Sequence, residues 1–567
     1  MSSLSNDDPE VGVGYHRPSK DINHGKRLLP QVLDKIAAED PDHLIGIIAD
    51  PGTMPNLTFT SLSSSQMANA VNFTSQWLCQ LLDKDPYETI AFIGVQDYRY
   101  WIIVLAAMKS GHPLLFASPR NAIVNNVSLL NATNCDVVFY SGGGSPLEAH
   151  VKGIQNTISG LRIHEIPSLE QMVAVKSSHY PYNKTFDEAK NDTVLFLHTS
   201  GSTGNPKPIR INNAFIARVG CDDLVPVPPG RVLAASNLAK KKGLSYLGAP
   251  LFHISGLCTM TIALYRMNTT VVGPIDRPPS ADVACAIVRS IKLTAISAVP
   301  FIHDAIFGAN GEELKDRLTG LHHVNSFGGP LRRETGRWCA ENLPNTVLWQ
   351  GYGMTENSVL AMLVPPRSHW HCFEFHPTLG PSMERISPTS DLYEVVFRRH
   401  PDPKFSWIHN VFEVYPRLDE WRSGDLFRRC KDEGFEHLWE HEGRIDDIMI
   451  LSNGAKVNPL HIEAKLMGQP TLKGCVMFGD GHTACGMLVE PNQPGISKEE
   501  LLNSVWAAIE EVNMLVPQRA RVLKSLIVVV SAEKPLTRSP KGIPVRKMSL
   551  MLYEAEIQEA YREAGYV

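Results

Sequence analysis

The sequence lacks any strong excess of charge of one sign. Lysine and arginine together number 54 against 59 aspartates and glutamates, which gives a formal net charge of −5. A protein that binds nucleic acid or an anionic membrane through its overall charge carries a basic excess. We therefore expect neither a nucleic-acid partner nor a membrane partner.

Long hydrophobic runs, a secretory leader and paired cysteines are also missing. The most apolar runs, "WIIVLAAM" and "LIVVV", are far shorter than a membrane span requires, and both are predicted to be core elements. The N-terminal segment has no basic stretch followed by an apolar one, so no secretory signal is legible. The ten cysteines include no Cys-x-x-Cys pair, which argues against a zinc ribbon, a redox dithiol and a disulfide framework. These absences favour a reduced, cytoplasmic compartment.

The chain of 567 residues is too long for one hydrophobic core, so we expect two or more domains. Short apolar runs alternate with helical stretches through most of the chain, at residues 44–50, 89–95, 112–118, 136–141, 193–198, 294–300, 322–328 and 345–351. Apolar strands separated by helices are typical of parallel α/β layers. The pattern predicts an α/β fold with a large N-terminal lobe of layered α/β subdomains, residues 1–445, whose ligand-binding loops follow the carboxyl ends of strands.

The pattern changes after residues 443–449. Three short strand-like runs then surround one amphipathic helix at residues 497–513. The apolar positions of this helix recur at steps of three and four and form one face, namely Leu501, Leu502, Val505, Trp506, Ile509 and Val512. This predicts a small α+β domain over residues 446–567.

A loop rich in glycine and hydroxyl groups, "HTSGSTGNPKP" at 198–208, follows the apolar run 193–197. Glycine lets successive backbone amides point into one concavity, which suits phosphate oxygens. The spacing does not match Gly-x-x-x-x-Gly-Lys-Ser/Thr, and Pro206 and Pro208 flank Lys207. If the loop binds phosphate, it does so in another architecture.

A second stretch, "QGYGMTE" at 350–356, also follows an apolar strand. Tyr352 is suited to stacking on a planar base, Thr355 to bonding an oxyanion, and Glu356 to binding a hard cation such as Mg²⁺. The same residues taken alone also fit a capped turn with a core tyrosine.

Two further stretches lie towards the C-terminus. In "RSGDLF" at 422–427, the carboxylate of Asp425 is suited to binding two ribose hydroxyls, although an ordinary turn aspartate also fits. The segment 443–459 is charged and glycine-containing and lies where the pattern changes, which is typical of a hinge.

The four stretches together resemble the adenylate-forming superfamily of acyl-CoA synthetases, luciferases and adenylation domains of nonribosomal peptide synthetases. They are similar in turn to its phosphate loop, its adenine and Mg²⁺ motif, its ribose-binding aspartate motif and its hinge. "PLFHISGL" at 250–257 resembles the segment that opens the acyl pocket. The resemblance runs from about residue 30 to the C-terminus and is closest to adenylation domains of fungal enzymes related to these synthetases. It implies that the small C-terminal domain is mobile and that ATP activates a carboxylic acid as acyl-AMP.

The resemblance also implies residue roles. The phosphate-binding residues would be Thr199, Ser200, Gly201, Ser202, Thr203, Gly204 and Lys207. Tyr352 would stack on adenine, Thr355 would contact the α-phosphate, Glu356 would hold Mg²⁺, Asp425 would bind the ribose hydroxyls, Arg444 would contact ribose or phosphate, and Asp446 would be the hinge.

The family's mobile catalytic lysine is where this sequence departs from the pattern. The family's ending resembles Ser/Thr-Pro-x-Gly-Lys-x-x-Arg-Lys, whereas this chain reads "SPKGIPVRK" at 539–547. Ile543 stands where the lysine is expected. We assign the role to Lys541, with Lys547 as the second choice, and a solvated surface lysine remains the alternative for Lys541.

The residue at the pocket entrance argues against an amino-acid substrate. Adenylation domains for α-amino acids resemble Phe-Asp-x-Ser there, and the aspartate pairs with the substrate ammonium, whereas this chain reads "FHIS" with His253 in that position. A neutral imidazole offers an ammonium no charge partner. His253 itself is either a gate that moves when the adenylate forms or a core histidine.

The remaining predicted pocket residues are non-polar, and they are Val299, Pro300, Phe301, Phe327, Gly351, Val359 and Leu360. An apolar cavity favours an aryl, arylpyruvic or other hydrophobic carboxylic acid.

The C-terminal segment 539–567 resembles the end of adenylation domains in fungal multidomain synthetases that lack a condensation domain, including aryl-acid reductases. In those proteins a carrier domain follows. We therefore expect an excised domain whose acceptor is the phosphopantetheine thiol of a downstream carrier. Two alternatives stay open, a stand-alone acyl- or aryl-CoA ligase and a catalytically impaired nucleotide-binding module.

Overall fold

The computed structural model describes residues 24–82, 88–142, 146–200, 206–234, 243–388, 390–452, 456–492, 495–516, 518–538 and 544–566. The chain divides into two compact units. The first contains the chain up to Thr199 with residues 206–381 and 397–421, and the second contains residues 382–396 and 422–567.

The strands of the first unit include all eight apolar runs marked in the sequence. They are β1 Leu44–Ala49, β2 Phe59–Ser63, β3 Thr89–Ile93, β4 Leu114–Phe116, β5 Cys135–Tyr140, β6 Arg162–Glu165, β7 Thr193–Ser200, β8 Pro206–Asn212, β9 Leu244–Gly248, β10 Thr269–Val272, β11 Ala295–Ala298, β12 His323–Phe327, β13 Val347–Gly351, β14 Gly353–Met354, β15 Ser358–Val359, β16 Met362–Leu363 and β17 Glu374–Phe375. All eight strands predicted from apolar runs are confirmed.

Helices of the first unit lie between these strands. They are α1 Leu29–Glu39, α2 Ser64–Leu81, α3 Arg99–Ser110, α4 Ile123–Ala132, α5 Pro146–Gln155, α6 Leu169–Ala174, α7 Phe186–Ala189, α8 Asn213–Ala217, α9 Ile254–Arg266, α10 Ala281–Ser290, α11 Pro300–His303, α12 Gly311–Leu318, α13 Arg333–Asn342 and α14 Val411–Val414. Short 3₁₀ turns span Arg218–Leu224, Arg367–His369 and Pro403–Phe405, and a π-helical turn spans Asp304–Ala309.

Two large sheets organise the first unit. One has the strand order β13-β12-β11-β9-β10-β1-β2, and all its pairs are parallel except β1 with β2. The other has the order β6-β5-β3-β4-β7-β8, and its first five strands are parallel. Since parallel strands end at the same edge of a sheet, the carboxyl ends of β7, β9, β11, β12 and β13 are placed where such folds bind ligands.

Burial explains the apolar runs of this unit. The run 101–108 lies in α3, where every residue from Arg99 to Lys109 is buried. It is therefore a core helix, as predicted. Within the described part of the chain, no helix combines the length and apolarity needed to cross a membrane.

The second unit is built largely from antiparallel strands. Its strands are β18 Ser382–Arg385, β19 Leu392–Arg398, β20 Glu420–Arg429, β21 Trp439–Arg444, β22 Met449–Ile450, β23 Lys456–Val457, β24 Leu472–Phe478, β25 Cys485–Pro491 and β26 Val522–Val529. Its helices are α15 Leu460–Leu466, α16 Lys498–Leu515, α17 Arg546–Leu552 and α18 Glu554–Glu563, with 3₁₀ turns at Ile445–Asp447 and Gln518–Ala520. The strands form sheets of order β18-β19-β20-β21 and β24-β25-β26, with β22 and β23 as a separate pair.

The helix predicted at 497–513 is α16. A capping box begins it, because Ser497 accepts a hydrogen bond from the Glu500 amide while the Glu500 side chain accepts one from the Ser497 amide. Its predicted apolar face is buried at Leu501, Val505 and Ile509 in a core with strands β24 to β26. The large α/β part and the smaller α+β part are both confirmed.

Candidate active site

The predicted phosphate loop begins at the carboxyl end of β7. Thr199 is half-buried there, and Lys207 is exposed on β8. Gly201, Ser202, Thr203 and Gly204, together with the side chain of Ser200, lie outside the described residues.

Two histidines, one from each large sheet, lie close together at strand ends. His198 lies on β7 of one sheet, and His253 follows β9 of the other and is the N-cap residue of α9. Their ring centroids are 6.3 Å apart in an edge-on arrangement. The carboxyl end of β7 and the segment that opens the predicted acyl pocket are therefore neighbours.

His198 is held in one tautomer. Its Nε2 accepts a hydrogen bond from the Ser118 amide at 3.3 Å, so the proton resides on Nδ1. Burial lowers the pKa of His198 to about 4, which keeps the ring neutral at physiological pH.

Gln96 makes a second link between the sheets, one that no sequence motif indicated. It follows β3, and its amide donates to the Ala249 carbonyl at 2.7 Å and accepts from the Leu251 amide at 3.0 Å. Both partners lie in the segment after β9. The link was missed because a single glutamine after a strand carries no distinctive pattern.

The predicted adenine and Mg²⁺ motif forms a short hairpin. Strands β14 and β15 pair antiparallel, with Thr355 and Glu356 half-buried at the turn between them. Gly353 permits the close approach of the two strands, since a Cβ there would lie 2.5 Å from the Ser358 carbonyl oxygen. The carboxylate of Glu356 acts on its surroundings, because its charge adds to burial in raising the pKa of Tyr415.

Tyr352 precedes the hairpin and is 7% exposed. Its ring packs edge-on against Phe375, with centroids 5.7 Å apart, and against Phe373, with centroids 6.3 Å apart. The Leu360 amide donates to the Tyr352 carbonyl at 3.1 Å, which ties the two ends of the hairpin.

Buried polar groups of neighbouring elements contact strand β15 of this hairpin. Arg218, 3% exposed, donates to the Val359 carbonyl at 3.1 Å. The Sγ of Cys258 lies 3.1 Å from the Oγ of Ser358. Ser358 has a φ of 62°, a left-handed conformation that is uncommon for residues other than glycine. These contacts stabilise the conformation that presents Thr355 and Glu356.

Three predicted pocket residues lie at adjacent strand ends. Val299 directly follows β11, Phe327 ends β12 and Gly351 ends β13, and Phe327 and Gly351 are register partners. Pro300 is half-buried after β11, whereas Phe301 is 46% exposed.

The other predicted pocket residues lie beside the hairpin or at the pocket entrance. Val359 is half-buried on β15, and Leu360 is buried directly after it. His253 is half-buried, with its ring centroid 4.6 Å from that of Phe252.

Two polar side chains that precede these strand ends were not predicted from the sequence. Asn325 on β12 and Trp349 on β13 are register partners one pleat before Phe327 and Gly351. The sequence carried little signal, because the predicted strand 322–328 also contains the polar residues His322, His323 and Ser326.

The predicted ribose motif lies in the second unit. Asp425 on β20 and Arg444 on β21 are register partners, and Arg444 Nη1 donates to Asp425 Oδ1 at 2.9 Å. Asp425 is 8% exposed, and its amide donates to Ser423 Oγ at 3.0 Å. Gly424 has a φ of 74°, which a residue with a side chain rarely adopts. The arginine and the turn thus orient the carboxylate.

The predicted hinge residue, Asp446, is exposed in the turn Ile445–Asp447. Its carboxylate lies 3.8 Å from Arg444 Nη2.

Lys541 lies outside the described residues, while the segment after it is anchored. Arg546 at the start of α17 pairs with Glu463 at 2.7 Å and donates to the Met477 carbonyl at 2.7 Å. Lys547, the second choice for the catalytic lysine, is exposed.

Two models of protein families match the chain. The AMP-binding enzyme model matches residues 37–384, and the AMP-binding enzyme C-terminal domain model matches residues 446–565.

Relatives of the chain include fungal multidomain proteins. It is 29% identical over 547 residues to the isocyanide synthase-NRPS hybrid crmA of Aspergillus fumigatus, an alignment that covers 95% of this chain and 34% of that protein. It is 27% identical over 552 residues to a carboxylic acid reductase of Neurospora crassa, with 95% and 51% covered. The chain therefore spans only a third to a half of the length of these relatives.

The fold also matches solved structures. The adenylation domain of a carboxylate reductase from Mycobacterium chelonae matches with a TM-score of 0.68 and 15% identity, covering 94% of this chain and 91% of that chain. This likeness confirms the fold. Since the first family model covers more than half of the chain, the chain belongs to the AMP-binding enzyme family of adenylate-forming ligases.

Proposed function

We propose that the chain activates a hydrophobic, aryl-type carboxylic acid with ATP and then transfers the acyl group to the phosphopantetheine thiol of a carrier domain. The observation that carries the proposal is the meeting of strand ends in the first unit. His198 beside the phosphate loop contacts His253 at the entrance to the acyl pocket. The two substrates of an adenylation reaction need this proximity.

The chemistry needs orientation and a positive field more than it needs a general base. A carboxylate oxygen forms a bond to the α-phosphorus of ATP, the bond from that phosphorus to the bridging oxygen breaks, and pyrophosphate leaves. The acid is already ionised at neutral pH, so no proton has to be removed. Rate acceleration then comes from holding the two reactants in line and from stabilising the charge on the phosphates.

Each motif has a role in this proposal. The phosphates are bound by Thr199, Ser200, Gly201, Ser202, Thr203, Gly204 and Lys207. Tyr352 stacks on adenine, and Thr355 contacts the α-phosphate. Asp425, held by Arg444, accepts hydrogen bonds from the ribose hydroxyls, which a carboxylate fixed by an arginine is suited to do.

Magnesium fits the hairpin turn. Glu356 provides an oxygen ligand of the kind Mg²⁺ prefers, and one or two protein carboxylates with phosphate oxygens are its usual set of ligands in proteins. When bound, the ion supplies charge neutralisation for the phosphates. The contacts of Arg218 and Cys258 behind the hairpin hold the backbone next to this carboxylate.

The pocket supports a hydrophobic acid. Val299 and Leu360 are buried and apolar, and Phe327 is half-buried beside Gly351. His253 replaces the aspartate of amino-acid-activating domains, which leaves a substrate ammonium without an anionic partner.

Transfer to the carrier completes the proposal. The thiol sulfur attacks the acyl carbon, the bond to the AMP oxygen breaks, and the thiol proton is released. We assign the change between the two half-reactions to a turn of residues 446–567 about Asp446, and we assign the catalytic lysine to Lys541. The fungal relatives support a carrier as acceptor, because they are multidomain enzymes described as NRPS hybrids or reductases.

Acid-dependent pyrophosphate release, measured with a panel of aromatic and aliphatic acids, tests the first half-reaction. We expect release with hydrophobic acids, a strong loss in Lys541→Ala, and unchanged ATP binding in that variant. The matched control is Lys547→Ala, which removes the exposed lysine six residues later and should retain activity. Equal loss in both variants, or no loss in Lys541→Ala, contradicts the lysine assignment.

The second half-reaction has its own test. Thioester formation on a phosphopantetheinylated carrier, with none on free coenzyme A, is the expected result. Efficient thioester formation with free coenzyme A would instead identify a stand-alone acyl- or aryl-CoA ligase. An Asp446→Pro variant should make acyl-AMP normally but transfer it slowly, and normal transfer would contradict the hinge assignment.

A further inference from the structure

Gln96 contacts the backbone of the pocket-entrance segment at two points. It follows β3 and is 8% exposed. Its Nε2 donates to the Ala249 carbonyl at 2.7 Å, and its Oε1 accepts from the Leu251 amide at 3.0 Å. A residue of a parallel strand makes the same pair of contacts, because it bonds a carbonyl and an amide that lie two positions apart on its neighbour. The side-chain amide therefore fixes both the position and the direction of residues 249–251.

Gln96 is itself held by its neighbours in the chain. The Val95 amide donates to Ser141 Oγ at 2.8 Å. On the other side, Asp97 is 1% exposed, and its carboxylate accepts from the amide and from the Nε of Arg99, both at 2.9 Å. Since the residues before and after Gln96 are both anchored, its amide contacts the segment from a defined position.

The same segment also packs tightly against α9. Ala249 and Leu251 are each 1% exposed. A Cβ on Gly256, in the first turn of α9, would lie 2.6 Å from Leu251 Cα, so the backbone of the helix lies directly against residue 251. In an interior packed this closely, a displacement of one element is transmitted to its neighbours. A shift of residues 249–251 would therefore also move the start of α9.

His253 lies two residues beyond Leu251. Two residues span at most about 7 Å, so the position of Leu251 limits where His253 lies. The His253 amide donates to the Pro250 carbonyl at 3.4 Å, which ties it to the anchored segment. Its ring centroid lies 6.3 Å from that of His198, whose own ring is held by the Ser118 amide at 3.3 Å. The arrangement of the two histidines therefore depends on the anchoring of residues 249–251.

We propose that Gln96 is a positioning residue for the acid, because it fixes residues 249–251 and thereby places His253 beside His198 at the entrance of the acid pocket. The inference rests on the proposed function, since it takes His253 as the entrance of that pocket. In this role Gln96 contacts neither substrate and acts only through the backbone of the segment. Its removal should therefore impair the use of the acid without impairing the use of ATP.

The variant Gln96→Leu leaves the Ala249 carbonyl and the Leu251 amide buried without their partner. A buried polar group without a partner is costly, so the segment shifts to relieve it, and His253 shifts with the segment. We expect the KM for the acid to rise about 10-fold and the KM for ATP to change less than about twofold. Steady-state pyrophosphate release, with each substrate varied in turn, measures both constants. Gln96→Met keeps the length of the side chain and replaces the leucine variant if that variant does not fold.

Asn69 on α2 provides a matched control in the same unit. Its amide donates to the Val175 carbonyl at 2.9 Å and accepts from the Ser177 amide at 3.0 Å, so it also bonds a carbonyl and an amide two positions apart. No predicted site residue lies in residues 175–177. Asn69→Leu should lower the thermal stability by an amount comparable to Gln96→Leu and leave the KM for the acid unchanged.

A double-mutant cycle with His253→Ala distinguishes the positioning of His253 from a general loss of structure. If Gln96 acts through His253, Gln96→Leu should raise the KM for the acid about 10-fold in wild type but less than about twofold in the His253→Ala background. Independent effects would multiply instead, and the same rise would appear in both backgrounds.

Three outcomes of these kinetics overturn the inference. They are a KM for the acid that rises no more in Gln96→Leu than in Asn69→Leu, an equal rise in the KM for ATP, and the same rise with and without His253. If no acid releases pyrophosphate in wild type, the proposed function fails separately, and hydrogen exchange then decides the positioning. The inference requires faster exchange of the His253 and Gly256 amides in Gln96→Leu than in wild type and in Asn69→Leu, and equal exchange overturns it.

Discussion

Burial acts in opposite directions on the pKa of three histidines in the first unit and of two carboxyl groups in the second. In the first unit, burial lowers the pKa of His198 and His303 to about 4, and burial together with the charge of Arg218 lowers that of His409 to about 3. In the second unit, burial raises the pKa of Glu463 and Asp447, although the charge of Arg546 opposes the rise. Burial thus keeps these three histidines of the first unit neutral, whereas both carboxyl groups of the second unit lie beside Arg546.

This difference predicts opposite responses to acid. A histidine whose pKa is lowered by folding stabilises the folded state above its unfolded pKa of about 6.5, and this stability is lost as the pH falls towards the folded value. A carboxyl group whose pKa is raised binds protons more readily when folded, so its contribution grows as the pH falls. Mild acid should therefore destabilise the first unit more than the second, in which burial also lowers the pKa of His441.

The largest expected effect is this loss in the first unit. Between pH 7 and pH 5 each of the three buried histidines should lower the free energy of unfolding by about 2 kcal/mol. Hydrogen exchange resolved along the chain, corrected for intrinsic rates, measures the two units separately. His409→Phe should reduce the loss in the first unit by about one third. A parallel loss in both units would show that the contrast in buried groups does not control the acid response.

The second prediction concerns the paired charge of the other unit. Arg546→Met leaves Glu463 buried without its partner, which should lower the stability of the second unit by about 3–5 kcal/mol at pH 7. The loss should shrink as the pH falls, because Glu463 then becomes protonated. The matched control is Arg562→Ala, which breaks an exposed ion pair with Glu559 and should change stability by less than about 1 kcal/mol. Equal losses in the two variants would contradict the role of burial.

The third prediction compares the two units in catalysis. Asp425→Asn in the second unit should raise the KM for ATP about 10- to 100-fold, because under the proposed function the ribose hydroxyls lose a charged acceptor. Thr355→Ala in the first unit should lower kcat with a smaller change in KM, because the proposed contact with the α-phosphate would strengthen as charge develops. Steady-state kinetics of pyrophosphate release distinguish the two patterns. The same pattern from both variants would mean that the assigned roles are wrong.

The elements of the fold were largely predictable from the sequence, because strands buried on both faces produce continuous apolar runs such as those of β1 and β3. The order of strands was not, since nothing local in β9 specifies that it lies between β11 and β10. The hairpin of β14 and β15 was also missed, as two-residue strands leave no period to detect.

Some residues of the candidate site were likewise predictable from the sequence, and others were not. Tyr352, Glu356 and Asp425 are visible because each lies in a short motif that follows or forms a strand. The pairing of Asn325 with Trp349 depends on the register of β12 with β13, which only the folded chain reveals. The sequence predicts a pocket lined by non-polar residues apart from His253, and it does not indicate that Asn325 lies beside Trp349 on the neighbouring strand.

The smallest expected effect is the loss of stability when the N-cap serine of α2 or of α16 is removed. Helices α2 and α16 both have 18 residues and begin with capping boxes, Ser63 with the neutral Gln66 and Ser497 with the ionisable Glu500. Ser63→Ala and Ser497→Ala should each cost about 1 kcal/mol at pH 7.

Only the box of α16 should depend on pH. Hydrogen bonds from the side chain and the amide of Ser497 lower the pKa of Glu500 below its ordinary value of 4.5, so the stability that they provide is present above this value and is lost as the pH falls through the folded pKa. The cost of Ser497→Ala should therefore diminish below pH 4.5, as measured by exchange of the first-turn amides of α16. In a Glu500→Gln background the box resembles that of α2, and the cost of Ser497→Ala should no longer vary with pH. If the cost of Ser497→Ala still varies with pH in that background, the variation arises from a group other than Glu500. The charge of Glu500 then does not distinguish the cap of α16 from that of α2.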